Sequence, residues 1–227
     1  VFNLPFVDAG IDTSLCEGSS FVLNASGAQS YTWNNGALNG VSFVPTTTTT
    51  YTVIGTDLNG CINTDSLTVE INSLPIVNAG NDISLCNGNQ ATLNATGAQS
   101  YTWNNGVLND ISFVPTTTTT YTVIGTDLNG CENTDSLELT ILSLPQVEAG
   151  IDLSVCVGDS INLNVTGALT FNWDNGVSNG ISFVPPSTAY YTVTGTDLNG
   201  CSNTDSLLVT VFNLPFVDAG IDTSLCE

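Results

Sequence analysis

Seven cysteines are the residues of this sequence whose type and spacing could support chemistry. Two series share a step of 70 residues; the first is Cys16, Cys86, Cys156 and Cys226, and the second is Cys61, Cys131 and Cys201. Because the chain has no His and no Cys-x-x-Cys pair, a zinc site is not predicted. Because no base accompanies the thiols, catalytic cysteines are not predicted either. One cysteine pair per 70 residues predicts structural disulfides of an exported protein.

The same 70-residue step governs the whole chain. Tryptophans recur at Trp33, Trp103 and Trp173, and YTVIGTDLNGC at 51–61 returns at 121–131. A period held without an insertion predicts tandem folding units. The predicted units are 1–72, 73–142 and 143–212, with 213–227 as the first strand region of a fourth. Because 211–227 repeats 1–17 without a change, we expect a longer period of 210 residues in a much larger protein.

Composition restricts the functions that are possible. The chain has no Lys, Arg or His, and its formal net charge is -21. Nucleic-acid backbones and anionic lipid surfaces are therefore not expected partners, since both are bound through basic residues. Without His, Lys or Arg as base or electrophile, no enzymatic activity is expected. No apolar run is long enough for a transmembrane helix, so direct membrane insertion is not expected.

Each unit reads as a series of short strands separated by turns. In residues 6–72 the predicted strands are FVDAGIDTSL (broken at Gly10), FVLNAS, SYTW, VSFVP, YTVIGTD and TDSLTVEI. Alternation is clearest in the last, where Leu67 and Val69 are flanked by polar residues. This pattern predicts an all-β fold of tandem immunoglobulin-like, Greek-key β-sandwiches.

Two aromatic residues and the linkers complete this prediction. Trp33, on the third strand, is predicted as a core residue, and Tyr51 is placed like the tyrosine of an immunoglobulin tyrosine corner. Each junction contains NLP or SLP, which is too short and too stiff for a flexible tether. We therefore expect the sandwiches to lie end to end as a rod.

The disulfide pairing has two alternatives at the sequence level. Pairing within a unit would join Cys16–Cys61, Cys86–Cys131 and Cys156–Cys201. In a sandwich, however, the first turn and the last hairpin turn lie at opposite ends, about seven residues or roughly 23 Å apart. A disulfide needs Cα atoms within about 7 Å. Pairing between units, which we favour, would join Cys16 to Cys131 and Cys86 to Cys201.

The repeated turn TDLNGC…NTD is rich in oxygen ligands of the kind that Ca²⁺ prefers. The alternative is that Asp, Asn and Gly only form the hairpin turn. The loop lacks the spacing and the bidentate Glu of an EF-hand. Apart from this possible Ca²⁺, no cofactor is predicted. The possible Ca²⁺ ligands are Asp57, Asn59, Asp65, Asp127, Asp135, Asp197 and Asp205.

The combination of C-x-G, S-Y-T-W-x-N-G and Y-T-V-x-G-T-D-x-N-G-C resembles the immunoglobulin-like and PKD-like repeats of giant Bacteroidota cell-surface adhesins. It covers nearly the whole chain, three times over. The resemblance implies export by type IX secretion and an extracellular stalk or filament, as in the gliding-motility adhesin. It also implies partners: neighbouring repeats of the same chain, a tip adhesin domain and the surface motility machinery.

The same resemblance implies O-glycosylation at Asp-Ser-apolar sites. The alternative is an outward Ser on an alternating strand. The candidate acceptors are Ser66, Ser136, Ser206 and Ser160.

The function expected from these observations is a non-catalytic stalk or filament repeat that supports adhesion and gliding. Two alternatives remain open. The repeats could themselves bind polysaccharide or substratum, or they could be accessory domains of a secreted polysaccharide-active enzyme.

Overall fold

A computed structural model describes residues 2–220 and 222. The chain divides into two compact units. One comprises Val1–Ile83, Ala91–Phe113 and Thr119–Leu139, and the other comprises Ser84–Gln90, Val114–Thr118 and Thr140–Glu227. The predicted domain boundaries stay a prediction, and the names repeat 1, repeat 2 and repeat 3 denote the sequence segments 1–72, 73–142 and 143–212.

Repeat 1 is a sandwich of two sheets, as the strand pattern predicts. Its strands are β1 (Thr13–Cys16), β2 (Phe21–Val22), β3 (Ser30–Trp33), β4 (Ser42–Phe43), β5 (Thr49–Thr56) and β6 (Ile62–Asn72). The larger sheet has the order β1-β6-β5-β3, and β2 pairs with β4 in the smaller sheet. A short 3-10 turn, Asn34–Gly36, follows β3. The fold class is therefore all-β, with immunoglobulin-like sandwiches in tandem.

Repeats 2 and 3 have the same order of strands. Repeat 2 contains β7 (Ile83–Cys86), β8 (Ala91–Thr92), β9 (Ser100–Trp103), β10 (Ser112–Phe113), β11 (Thr119–Thr126) and β12 (Glu132–Leu142). Repeat 3 contains β13 (Leu153–Cys156), β14 (Ile161–Asn162), β15 (Thr170–Trp173), β16 (Ser182–Phe183), β17 (Ala189–Thr196) and β18 (Ser202–Phe212). The sheet orders β7-β12-β11-β9 and β13-β18-β17-β15 repeat that of repeat 1. Residues 213–220, predicted as the start of a fourth unit, contain no strand.

The first predicted strand contributes to both sheets of the sandwich. Asp8 bridges to Ser26 at the end of the second predicted strand, antiparallel. The chain then turns at Gly10, whose φ is +94°. It continues as β1, which lies parallel to β6, with Thr13 opposite Val69 and Cys16 opposite Asn72. Gly10 breaks this strand as predicted, and the break transfers the chain from one sheet to the other.

The core lies between the sheets and follows the alternation in the sequence. Val53 on β5 and Val69 on β6 are fully buried, and Leu67 is nearly so. Trp33 is 5% exposed, which confirms it as a core residue. Its indole N–H donates to Asn39 Oδ1 at 3.1 Å, which also accepts the backbone N–H of Ala25 at 2.7 Å. This contact was not predicted, although an Asn recurs six residues after each Trp in the sequence.

The tyrosine-corner interpretation of Tyr51 is wrong. Tyr51 is buried, and its ring packs edge-on against Phe43 with centroids 5.4 Å apart. The hydroxyl that bonds back to the main chain belongs to Tyr31, which accepts from Ala28 N and donates to Ala28 O, both at 2.8 Å. The local turn before β3, and not the start of β5, therefore carries the tyrosine-to-backbone contact.

The strand transfer can be tested at Gly27, whose φ is +92° and where a Cβ would collide with the carbonyl oxygen of Phe6. We expect Gly27→Ala to lower the free energy of unfolding of repeat 1 by about 1–3 kcal/mol more than Gly18→Ala. Gly18 has a similar φ of +84° with nothing within 4 Å, so it controls for backbone strain alone. The measurement is urea unfolding followed by fluorescence of Trp33 in a W103F/W173F background. Equal losses for the two variants would contradict the close approach.

Candidate functional site: the disulfide-linked turns

Within the described residues there are two disulfides, and both join consecutive repeats. Cys16 is bonded to Cys131 and Cys86 to Cys201, with Cα atoms 5.4 and 5.5 Å apart. The sequence separation is 115 residues in each case. Each bond therefore connects the first turn of one repeat to the last hairpin turn of the repeat that follows it.

An aspartate shapes the hairpin turn that carries the second cysteine. Asp127 Oδ1 accepts the backbone N–H groups of Asn129 and Cys131, each at 2.8 Å. The Asp127 N–H donates to Cys131 O at 3.0 Å, and Gly130 takes a φ of +80°. The motif Asp-Leu-Asn-Gly-Cys therefore closes on itself and holds Cys131 immediately before β12. Cys131 and its equivalent Cys201 are fully buried.

The other half of each bond comes from the turn after β1 and its equivalents. Cys16 is the last residue of β1 and lies opposite Asn72. The next residue, Glu17, donates its backbone N–H to Asn72 O at 2.8 Å, and Ser19 N donates to Cys16 O at 3.0 Å. These contacts fix the direction in which the chain leaves the strand, and so fix the position of Cys16.

The register of β1 on β6 explains why the within-repeat alternative is not the pairing in the structure. Cys16 lies at the carboxyl end of β6, whereas Cys61 immediately precedes its first residue, Ile62. The 11 residues of β6 span roughly 35 Å at about 3.3 Å per residue. The two cysteines therefore lie at opposite ends of the strand, and their separation is larger than the roughly 23 Å expected from the sequence.

Two described cysteines, Cys61 and Cys156, are free and half-buried. Cys61 occupies the position of Cys131 in repeat 1, and Cys156 occupies the position of Cys16 in repeat 3. Cys226, the remaining member of the first series, lies outside the described residues.

The candidate calcium ligands are engaged in backbone contacts. Asp57 and Asp197 hold their turns as Asp127 does, through Oδ1 and the amides two and four residues later. Asn59 contributes its backbone N–H to this turn. Among residues 2–220 and 222, no group of three or more His, Cys, Asp or Glu side chains is arranged to hold a metal ion. Calcium binding stays a prediction.

A second set of aspartates joins the first strand to the last one. Asp65, Asp135 and Asp205 each accept, through Oδ2, the backbone N–H of an alanine 56 residues earlier, at 2.7 to 2.8 Å. The hydrogen bonds from Ala9 and Ser66 hold the pKa of Asp65 below its ordinary value, and those from Ala79 and Ser136 do the same for the pKa of Asp135. The carboxylates of Asp65 and Asp135 thus stabilise the strand transfer in their ionised form.

The candidate O-glycosylation serines are all exposed. Ser66, Ser136 and Ser206 lie within β6, β12 and β18, with the aspartate before each turned inward to its alanine. Ser160 precedes β14. Their side chains are sterically available, and glycosylation stays a prediction. No helix in the described part of the chain has the length and apolarity to cross a bilayer.

Comparisons with known proteins identify no family. No family model and no curated protein matches the chain. Among solved structures, Sidekick-1 immunoglobulin domains 1–5 are similar at 15% identity, with a TM-score of 0.33 over 92% of this chain and 59% of that one. The eight N-terminal immunoglobulin domains of Down Syndrome Cell Adhesion Molecule are similar at 17% identity, with a TM-score of 0.39 over 92% of this chain and 37% of that one. The I9–I11 tandem of titin is similar at 12% identity, with a TM-score of 0.35 over 94% of this chain and 98% of that one.

This chain therefore spans about three fifths of the Sidekick-1 structure and less than half of the Down Syndrome Cell Adhesion Molecule structure. Structural overlap at this level carries no argument about function. The immunoglobulin-like class follows from the strand order and registers described above.

The lowered pKa of Asp65 gives a pH dependence with a defined sign. A depressed folded-state pKa stabilises the fold above the unfolded value of about 3.8, and that contribution is lost as the pH falls through the folded value. We expect the urea midpoint of repeat 1 to fall between pH 5 and pH 2, measured through Trp33 in the W103F/W173F background. Asp65→Asn should reduce this fall.

Glu70→Gln is the matched control, since it removes one negative charge from the exposed face of the same strand. It should leave the acid-induced fall unchanged. The role of Asp65 would be contradicted by equal behaviour of the two variants.

Proposed function

We propose that this chain is a non-catalytic structural segment of an extracellular stalk or filament, built from immunoglobulin-like repeats that are covalently linked to their neighbours. The observation that carries the proposal is the pair of disulfides between consecutive repeats, each spanning 115 residues. Structural disulfides belong to oxidising, extracytoplasmic surroundings. The acidic surface, with a net charge of -21, favours solubility and repulsion between neighbouring filaments.

The disulfides would change how the chain carries tension. A pull applied to the two ends follows the shortest covalent path, and the cysteine links shorten that path. It runs from residue 1 to Cys16, crosses to Cys131, returns to Cys86, crosses to Cys201 and continues to residue 227. The other segments form loops outside this path, and tension does not extend them to their full length. Repeats linked in this way can lose their fold under load without extending to full length.

The expected result is a contour length that depends on the redox state. The oxidised path has about 86 residues and extends to roughly 300 Å, whereas the reduced chain extends to roughly 790 Å. Single-molecule stretching between handles at the two ends, with and without dithiothreitol, measures this difference. The three remaining thiols are alkylated before the handles are attached.

Two double variants provide matched controls. Either C16S/C131S or C86S/C201S leaves one disulfide and a path of about 111 residues, so both should extend to roughly 390 Å. One contour length for the oxidised, reduced and variant chains would overturn the covalent linkage and the function proposed from it.

The resemblance of the repeat motifs to Bacteroidota adhesins supports a more specific proposal. In this proposal the segment belongs to a giant surface adhesin that is exported by type IX secretion and carries a tip adhesin domain. The filament supports cell adhesion and, when moved by surface motility machinery, gliding.

Imaging of living source cells tests the gliding role. A fluorescent Fab raised against the repeat should label the cell surface, and the label should travel along the cell body. A stationary surface label would remove gliding and leave a static stalk, and a label found only inside permeabilised cells would remove the surface location.

A further inference from the structure

Repeat 3 has an open cavity at the edge of its core. The cavity is bounded by the segment after β15, by β16 and the residues that follow it, and by the start of β17. Its volume is about 510 Å³. Pockets that bind small ligands have volumes of roughly 300–1,000 Å³, so the cavity is large enough for one. Its lining includes Asn175, Ser178, Phe183, Ser187, Ala189 and Tyr191.

Two lining side chains are smaller in repeat 3 than in the other repeats. Ser178 stands in place of Leu38 and Leu108, and Ala189 stands in place of Thr49 and Thr119. In repeat 1 the Thr49 hydroxyl donates to Thr47 O at 2.9 Å, a contact that alanine cannot make. The two smaller side chains leave more space beside the aromatic rings of repeat 3.

The mouth of the cavity is a surface that an adjoining repeat leaves open. Val184, which lines the mouth, is 52% exposed. Its equivalents Val44 and Val114 are 52% and 51% exposed, although repeats 1 and 2 are each followed by another repeat. A following repeat therefore does not cover this position, and the opening in repeat 3 is a property of the repeat itself.

Tyr191 supplies a polar group without a partner. The residue is 2% exposed, and its ring packs against Phe183 with centroids 5.3 Å apart. Among the described residues no group is hydrogen-bonded to its hydroxyl, and the hydroxyl is not sealed from solvent. Tyrosine hydroxyls in buried positions usually have a partner. Tyr51 and Tyr121 hold the same position in repeats 1 and 2, beside the larger leucine and threonine.

The Tyr191 hydroxyl is a donor at neutral pH. Burial, and then the charge of Asp174, raise the pKa of Tyr191 above its ordinary value. The hydroxyl therefore keeps its proton and can donate it to a molecule in the cavity.

The other polar groups of the lining are an amide and two hydroxyls. Asn175 Nδ2 donates to Asp174 Oδ1 at 3.1 Å and to Tyr190 O at 3.3 Å, which leaves the Asn175 amide oxygen as an acceptor. Ser178 and Ser187 are exposed and add hydroxyls that can donate or accept. The described residues that line the cavity include no charged side chain.

These features select the chemical class of the ligand. An anion would enter a chain of net charge -21 that has no Lys or Arg to bind it. A cation would find no carboxylate in the lining. A wholly apolar molecule would leave the Tyr191 hydroxyl without a partner. A neutral sugar satisfies both parts of the lining, because its C–H faces pack on aromatic and aliphatic side chains while its hydroxyls exchange hydrogen bonds.

We infer that the cavity of repeat 3 binds a neutral sugar unit of a glycan, with the Tyr191 hydroxyl and the Asn175 amide oxygen as hydrogen-bonding groups. The inference goes beyond the proposed function, since a stalk segment requires no cavity. It is also independent of the disulfides, since Ser178, Ala189 and Tyr191 all belong to repeat 3.

An NMR titration of the whole chain tests this binding. The isotope-labelled chain, with its disulfides intact and its free thiols alkylated, is mixed with methyl glycosides of glucose, galactose, mannose, xylose and N-acetylglucosamine. Concentrations up to about 20 mM exceed the roughly millimolar Kd expected for a single sugar unit. At least one neutral glycoside should shift the amide signals of residues 175–191. The signals of 35–51 and 105–121 should stay in place, and methyl galacturonoside, which is anionic, should shift none of the three.

Two variants with matched controls locate the site. Tyr191→Phe keeps the ring and removes the hydroxyl, so it should raise the Kd by about threefold to tenfold. Tyr51→Phe makes the same change in repeat 1 and should leave the Kd unchanged. The double variant S178L/A189T introduces the side chains that repeats 1 and 2 carry at these positions, and it should abolish the shifts at 175–191. Unchanged amide dispersion in the absence of sugar shows that each variant is folded.

Three results would overturn the inference. They are no shift at 175–191 with any neutral glycoside, equal shifts in all three repeats, and a Kd that neither Tyr191→Phe nor S178L/A189T changes. None of these results affects the redox-dependent contour length, so the cavity can fail while the covalent linkage stands. A single contour length in all redox states would instead remove the linkage and leave the sugar titration unaffected.

Discussion

The parallel pairing of β1 with β6 is the constraint on which the other features of each repeat depend. It places Cys16 beside Asn72, at the far end of the strand that begins next to Cys61. With its two cysteines separated by the length of β6, a repeat has no internal partner for either. A disulfide from either cysteine therefore has to reach an adjoining repeat, as Cys16–Cys131 and Cys86–Cys201 do.

The sequence was informative wherever side-chain type and period act locally. Alternation identified the long strands, Trp33 was correctly assigned to the core, and the expected sandwich topology led to the between-repeat pairing as the favoured alternative. The interpretation of Tyr51 failed because the corner contact depends on which hydroxyl reaches a backbone amide. That is a matter of turn geometry before β3, and Tyr31 and Tyr51 cannot be distinguished by composition or alternation.

The acidic residues show a similar limit. From the sequence, Asp57 and Asp65 were candidates for one calcium site, because both lie near the same turn. In the structure Asp57 closes the turn, and Asp65 faces Ala9 on the transferred first strand. The contact with Ala9 joins residues 56 apart, so no local pattern could reveal it. The fixed recurrence of Asp65, Asp135 and Asp205 indicated a structural requirement without indicating the partner.

The direction of β1 also determines how its hydrogen bonds would respond to a pull. Because β1 is near the start of a repeat and β6 is at its end, opposite forces on the two flanking linkers act along the strands in a shearing geometry. In shear, the ladder bonds that join Thr13–Cys16 to Val69–Asn72 are strained together. A hairpin pulled from its open end instead breaks its ladder bonds one after another. A repeat with its ends in parallel strands is thus suited to resist longitudinal load before any covalent link is stretched.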